Sequence, residues 1–425
     1  MISGATTQLA TPVRRWLQQF REWKSGGGIL LVAAAAISML LANSRWHHVV
    51  DAFWESHRAL AAADVTLSLT VREWISDGLM ASFFLLVGLE IKREVLEGEL
   101  STVRGAALPL AAAFGGMVVP AMIYLVVNPD GVASRGWPVP MATDIAFALG
   151  VLSMLGSRIP PSLTVFLTAL AIADDLGAVV VIGFISGHAP DTRYLLPFAL
   201  TFGALMLANR RRVASLAVYA VLGIVLWYIV LRLGLHPTLA GILIAFTVPS
   251  HTAVTAVVPS HTAATAASQP SPLARLEHML HSPVNYCILP LFALANAGVP
   301  LAGPAGDDAS AFGPVAAGVT LGLIAGKPLG ILVACWLATR LGAALPSGAS
   351  WLGITGIAIL AGIGFTMSLF MSQLVFGEGP LLQQAKLGIV CASVAAALAG
   401  ATIIMLSVRS AASRDARELE RANGA

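Results

Sequence analysis

The chain has 425 residues, 57% of them hydrophobic and 11% charged, with a net charge of +3. An ordinary soluble domain is roughly 25% charged. So few charges exclude a soluble globular protein and point to an all-α polytopic membrane protein, with membrane lipid around it and no nucleic-acid partner. Cys287, Cys335 and Cys391 lie in apolar segments, which reads as small buried residues and not as a disulfide framework.

From the N-terminus, Arg14, Arg15, Arg21 and Lys24 precede the first apolar run. No small-residue cleavage site follows them, so a signal peptide is not expected. A helix needs about 20 apolar residues to cross a bilayer, and twelve segments are candidates. They are Gly28–Asn43, Val71–Glu94, Ala106–Val127, Met141–Gly156, Ser162–Ser186, Tyr194–Ala208, Ala214–Leu231, Thr238–Val248, Val284–Val299, Val315–Ala338, Trp351–Phe376 and Leu382–Leu406. Residues 1–27 then form an N-terminal tail, 28–406 the membrane domain and 407–425 a charged C-terminal tail. With both termini on one side, seventeen basic residues collect there. Seven, Lys386 among them, fall on the other side, and Lys327 stands in mid-helix. Positive charge marks the cytoplasmic side, so both termini are expected in the cytoplasm.

The longest external connection, residues 44–71, contains the alternating stretch TLSLTV, a strand or hairpin pattern. Such a hairpin could join two copies edge to edge into a homodimer; a capped loop is the alternative reading. Between Pro249 and Pro272 the sequence nearly duplicates itself, VPSHTAVTAV then VPSHTAATAA. It reads as a flexible linker over 249–275. His251 and His261 within it have no Cys or acidic partner and are not read as metal ligands.

The chemistry concentrates in AIADDLG, where Asp174 and Asp175 interrupt an otherwise uncharged run from Leu163 to Ile185. A charge at bilayer depth costs roughly 2.5–3.5 kcal/mol even on a mild scale. The pair therefore implies a wet cavity, a partner charge or a cation. Neighbours on a helix point about 100° apart, so one can pair with a lysine while the other faces the path. Lys327, in IAGKPLG, is about twelve residues from either helix end, and a salt bridge to Asp174 or Asp175 is the economical reading. Thr143 and Asp144, in the short segment MATDIAFALG, are expected to cap a helix beginning in mid-membrane. In GIGFTMS, Gly362 and Gly364 either weaken a second helix at its centre or serve tight helix packing.

At the end of the second span, GLEIKRE carries Glu90, Arg93 and Glu94, and RLEHMLH carries Glu277, His278 and His281. Each set reads as an interfacial charge cap or as a pH sensor, since histidine changes charge near pH 6.5. His236, in GLHPTLAG, is equally open.

These motifs occur in one order over residues 28–406, together with LPLAAAFGGMVVPA, LPLFALANAGV and GKPLGI. In that order the chain resembles the sodium/proton antiporters of the NhaA family. The resemblance implies twelve transmembrane helices with inverted repeats and two discontinuous helices crossing at mid-membrane. Paired interrupted segments are described for these antiporters themselves, so pattern and resemblance are one observation here. It further implies Asp175 as the main cation and proton carboxylate, and Asp174 as the partner of Lys327. Thr143 and Asp144 would lie at the crossing. Glu90, Arg93, Glu94, His236, Glu277, His278 and His281 would be tied to pH activation. The implied activity is electrogenic, pH-regulated exchange of cytoplasmic Na⁺ or Li⁺ for external protons across a bacterial inner membrane. It uses no cofactor, and Asp174 and Asp175 hold the transported ion. Two rival classes share features of the pattern. A sodium-coupled symporter would need a larger polar pocket. An intramembrane aspartyl protease would need its two aspartates facing each other from separate helices.

Overall fold

A computed structural model of the protein describes residues 26–62, 65–156, 159–185, 191–250, 270–300 and 312–423. The N-terminal tail up to residue 25 and the duplicated linker with His251 and His261 lie outside the described residues.

Helix α1 (Gly26–Ala42) is followed by a short helix, α2 (His47–Trp54), and by strands β1 (His57–Ala62) and β2 (Val65–Thr70). The strands pair antiparallel, with His57 opposite Thr70 and Ala62 opposite Val65. The connection after α1 is thus a hairpin with a helix ahead of it, and that helix has no counterpart in the sequence reading. Thr70 closes the hairpin with a capping box: its hydroxyl accepts from Glu73 N–H, and Glu73 accepts from Thr70 N–H. This launches α3 (Val71–Glu97), whose second turn, Trp74–Leu79, is π-helical.

Helices α4 (Val103–Val127), α5 (Ile145–Met154), α6 (Pro161–Ile185), α7 (Leu195–Arg210), α8 (Leu216–Leu233) and α9 (Leu239–Thr247) follow. Helix α10 (residues 272–296) runs through a π-helical turn at Val284–Ile288. Helix α11 (Pro314–Arg340) has a π-helical turn at Gly322–Gly326, and then come α12 (Trp351–Leu360) and α13 (Phe365–Phe376). Helix α14 (Pro380–Asn423) is continuous, so the C-terminal tail expected from residue 407 extends the last helix.

Among the described residues six helices are long and apolar enough to cross a membrane: α3, α4, α6, α8, α11 and α14. The number is up to nine among the described residues if each bent helix pair counts as one span. Their outer faces carry large apolar side chains such as Val126, 80% exposed, and Ile224, 69% exposed. Exposed apolar surface on that scale suits lipid. Inside, α4 and α11 approach until their backbones nearly touch: a Cβ on Gly115 would lie 2.2 Å from the Gly330 carbonyl oxygen. Small residues permit this packing where apolar burial alone cannot drive helices together.

Two of the bent pairs matter for function. Residues Ala133–Met141 form 3₁₀ turns that bend by 42° into α5, and α12 bends by 44° into α13. Pro138 and Pro140 limit helix formation ahead of the first break. At the second, Gly362 and Gly364 have negative φ, so glycine's left-handed freedom is not used. A Cβ on Gly362 would meet the Leu323 carbonyl oxygen at 2.5 Å. Gly362 is required for close approach to the π-helical turn of α11.

Lys386, which the charge count takes as a flanking basic residue, is covered by its neighbours: it is 1% exposed in α14. The apolar pattern marks where a helix lies, but it does not reveal which flanking charges neighbouring helices cover.

Candidate functional site

The breaks at 142–144 and 361–364 meet. Asp144 N–H donates to the Ile363 carbonyl oxygen at 2.7 Å. The Asp144 carboxylate then serves two helix starts. Its Oδ1 accepts from Phe147 N–H of α5 at 2.9 Å, and its Oδ2 accepts from Thr366 N–H of α13 at 3.0 Å and from Thr366 Oγ1 at 2.5 Å. Helix N-termini carry unsatisfied N–H groups and about half a positive charge each. One buried carboxylate therefore neutralises two of them.

Thr143 does not cap, contrary to expectation. Its Oγ1 lies 2.7 Å from Asp174 Oδ2 and 2.9 Å from the Ala361 carbonyl oxygen. A hydroxyl has one proton, so these two acceptors share it. The reason is geometric: Thr143 sits in the extended break, one residue before the N-cap, and points at α6 and the carbonyl end of α12. Thr366, in GIGFTMS, is the second helix start that donates to the Asp144 carboxylate. Its only signal in the sequence is a hydroxyl in the first turn after a break.

Lys327 begins the regular part of α11 just after the π-helical turn. Its Nζ is 2.5 Å from Asp174 Oδ2, with the two side chains 0% and 1% exposed. It also donates to the carbonyl oxygen of Met141, the last residue of the 3₁₀ segment before the break. The ammonium thus answers both a carboxylate and a carbonyl end.

Asp175 differs from its neighbour. It is 1% exposed, and both of its carboxylate oxygens are buried without a hydrogen-bond partner; Asp174 Oδ1 is likewise unpartnered. Unmet carboxylate oxygens at this depth demand a proton or a cation. Hard cations take oxygen ligands, and carboxylate oxygens are what the site offers. Among the described residues no cluster of three or more His, Cys, Asp or Glu has the arrangement of a resident metal centre.

A cavity of about 560 Å³ approaches this centre. Asp144 and Met367 line its inner end, and Glu90, Arg93, Glu277 and His281 line it as well. The two charge clusters form one assembly: Arg93 Nη1 is 2.5 Å from Glu277 Oε1, and Nη2 is 3.3 Å from Glu94 Oε1. Burial pushes the Glu277 carboxyl above its usual range, against the pull of Arg93. His281 is pushed down by burial and by the neighbouring His278 and Arg93. His278 is exposed beside it. His236 is not part of this assembly. Its ring lies edge-on to Phe370 of α13 at 5.7 Å, because GLHPTLAG forms the turn between α8 and α9.

Known proteins resemble this chain over most of its length. The model of the Na⁺/H⁺ antiporter 1 family matches residues 18–404. The Na⁺/H⁺ antiporter NhaA of Shewanella pealeana is 45% identical over 392 residues, covering 91% of this chain and 96% of that protein. Those of Acidithiobacillus ferrooxidans and Shewanella amazonensis are 44% and 46% identical, each over 90% of this chain and 95% of the relative.

Proposed function

The chain belongs to the Na⁺/H⁺ antiporter 1 family, secondary transporters of the bacterial inner membrane, and on that premise we propose that Asp175 is where the exchanged cation and proton alternate. The observation that supports this most directly is the pair of buried, unpartnered oxygens on Asp175, one residue from an aspartate already neutralised by Lys327. A Na⁺ or Li⁺ ion entering from the Glu90–Glu277 cavity would bind Asp175, with Asp174 and Thr143 as further oxygen donors. Protons arriving from outside displace it.

Charge balance then assigns roles. Asp174 with Lys327 is neutral overall, so Asp175 carries the negative charge that one cation cancels. Titration of the Asp174–Lys327 pair, which belongs to the pair and not to either residue, gives the cycle a second proton. More protons than cations make the exchange electrogenic. Asp144 holds the two broken helices together while the site turns from one side to the other.

The same reading takes the fold as twelve spans in inverted repeats with both termini cytoplasmic, and the paired breaks as two discontinuous helices crossing at mid-membrane. The Arg93–Glu277 assembly regulates entry with pH. The hairpin of β1 and β2 joins two copies.

The test is Asp175→Asn, reconstituted in proteoliposomes. The amide has no proton to exchange and no charge to offer Na⁺. Na⁺-driven proton flux should vanish while the protein still inserts and folds. Flux near the parent level would move the site elsewhere.

A further inference from the structure

The cavity that reaches Asp144 opens on the Glu90–Glu277 side, and two layers close the molecule in the opposite direction along α13. The first layer is aromatic. Phe370, 2% exposed, packs against Phe84 of α3 at 5.2 Å and Phe292 of α10 at 6.3 Å. The second layer is polar. Gln373 Nε2 donates to Asn296 Oδ1, Asn296 Nδ2 donates to Ser76 Oγ at 3.4 Å, and Ser76 Oγ donates to Gln373 Oε1 at 3.5 Å.

Both layers come from the same faces. Phe370 and Gln373 are three apart on α13, and Phe292 and Asn296 are four apart on α10, the spacings that align side chains on a helix. Ser76 is fourteen residues before Glu90, about 20 Å along α3 at the helical rise. It sits in the π-helical turn Trp74–Leu79, an irregularity found often at functional sites. Asn296 is 0% exposed, a costly place for an amide unless its bonds are made. An apolar layer excludes water and ions. A ring of amide and hydroxyl bonds beyond it can exchange each partner for water and so open without stranding a polar group.

We infer that these layers are the external gate of the exchange cycle, and that Gln373 is its latch. The amide must trade Asn296 and Ser76 for water before a cation at Asp175 can leave outward. This rests on the exchange proposed at Asp175. Gln373 is a positioning residue, since it touches neither ion nor carboxylate.

The test reads access from each side without requiring transport. Cys287, Cys335 and Cys391 are replaced by alanine, and Met367→Cys, at the inner end of the cavity, is the reporter. A membrane-impermeant maleimide is applied to right-side-out and to inside-out vesicles. Gln373→Met keeps the length and loses the bonds. A shift of about tenfold in the open-to-closed ratio follows from losing one or two net hydrogen bonds. The outside labelling rate should rise by about that factor and the inside rate should fall. Ser76→Ala should move both rates in the same directions by about threefold, and the double variant should not exceed Gln373→Met. In proteoliposomes, the KM for Na⁺ should fall on the external side and rise on the cytoplasmic side.

An outside rate unchanged in both variants overturns the latch. So does an equal rise from both sides, which reports a loosened fold. If Gln373→Met fails to insert, Ser76→Ala decides alone. Loss of the Asp175 assignment would show in flux through Asp175→Asn, whereas loss of the gate would show in labelling, so the two can fail separately.

Discussion

Replacing Asp174 by asparagine strips Lys327 of its charged partner in a site where both side chains are at most 1% exposed. Removing one member of a buried ion pair costs about 3–5 kcal/mol, because the remaining charge is left uncompensated. Lys327 keeps its bond to the Met141 carbonyl, which argues for the lower end, about 3 kcal/mol. Larger domains lose about 2 °C of Tm per kcal/mol, so the variant should melt on the order of 5 °C below the parent. Scanning fluorimetry in detergent would read it. The double variant Asp174→Asn with Lys327→Met removes both charges and should recover most of the loss, since apolar replacement of a whole buried pair is often neutral. Equal melting of the single variant and the parent would refute the claim that Lys327 depends on Asp174. A double variant no more stable than the single one would show that the loss comes from packing.

Asp144→Ala leaves two helix starts without their shared acceptor, and each lost cap is worth about 0.5–2 kcal/mol. A loss of about 1–4 kcal/mol is expected in the melting assay, with Asp144→Asn closer to the parent because one oxygen can still cap. Glu277→Gln mimics the protonated acid and breaks its ion pair with Arg93. Activity near neutral pH should drop towards the acid level, and the profile measured in everted vesicles should move alkaline by more than the Na⁺ KM changes at its optimum. Because burial holds the folded-state pKa of Glu277 above its ordinary value, the stability this acid contributes is full at low pH. It is lost as pH rises through the raised value. Melting of Glu277→Gln against pH should lack that component.

The buried charges were the legible part of the site. Asp174, Asp175 and Lys327 stand out because ionisable groups in apolar runs are expensive, and that cost calls for a Lys327 pairing with Asp174 or Asp175; the family resemblance selects Asp174, the one that Lys327 meets. Asp144 was readable as a cap, but its second helix was not: Thr366 lies 222 positions away, and no local pattern announces such a contact. The same holds for Arg93 and Glu277, 184 positions apart, which the sequence offered as two clusters and the fold makes one. For the glycines of the second break the sequence leaves a weakened helix and tight packing both open; the helix does bend there, and Gly362 serves close packing. TLSLTV announced one strand through its alternation. Its partner HRALAA does not alternate, and pairing across the turn decides it. His236, which the family resemblance groups with the other titratable residues, lies beside Phe370, away from the Arg93–Glu277 assembly.

The central claim is that one carboxylate site holds either a cation or protons. Isothermal titration of the purified protein with Na⁺ or Li⁺ at several pH values tests it most directly. With one competing proton, apparent affinity should weaken about tenfold, or about 1.4 kcal/mol, for each unit of pH drop. With two it should approach a hundredfold, and it should level off at high pH where the site is already deprotonated. Proton release on binding should match the slope. An affinity independent of pH, with no proton released, would contradict the account.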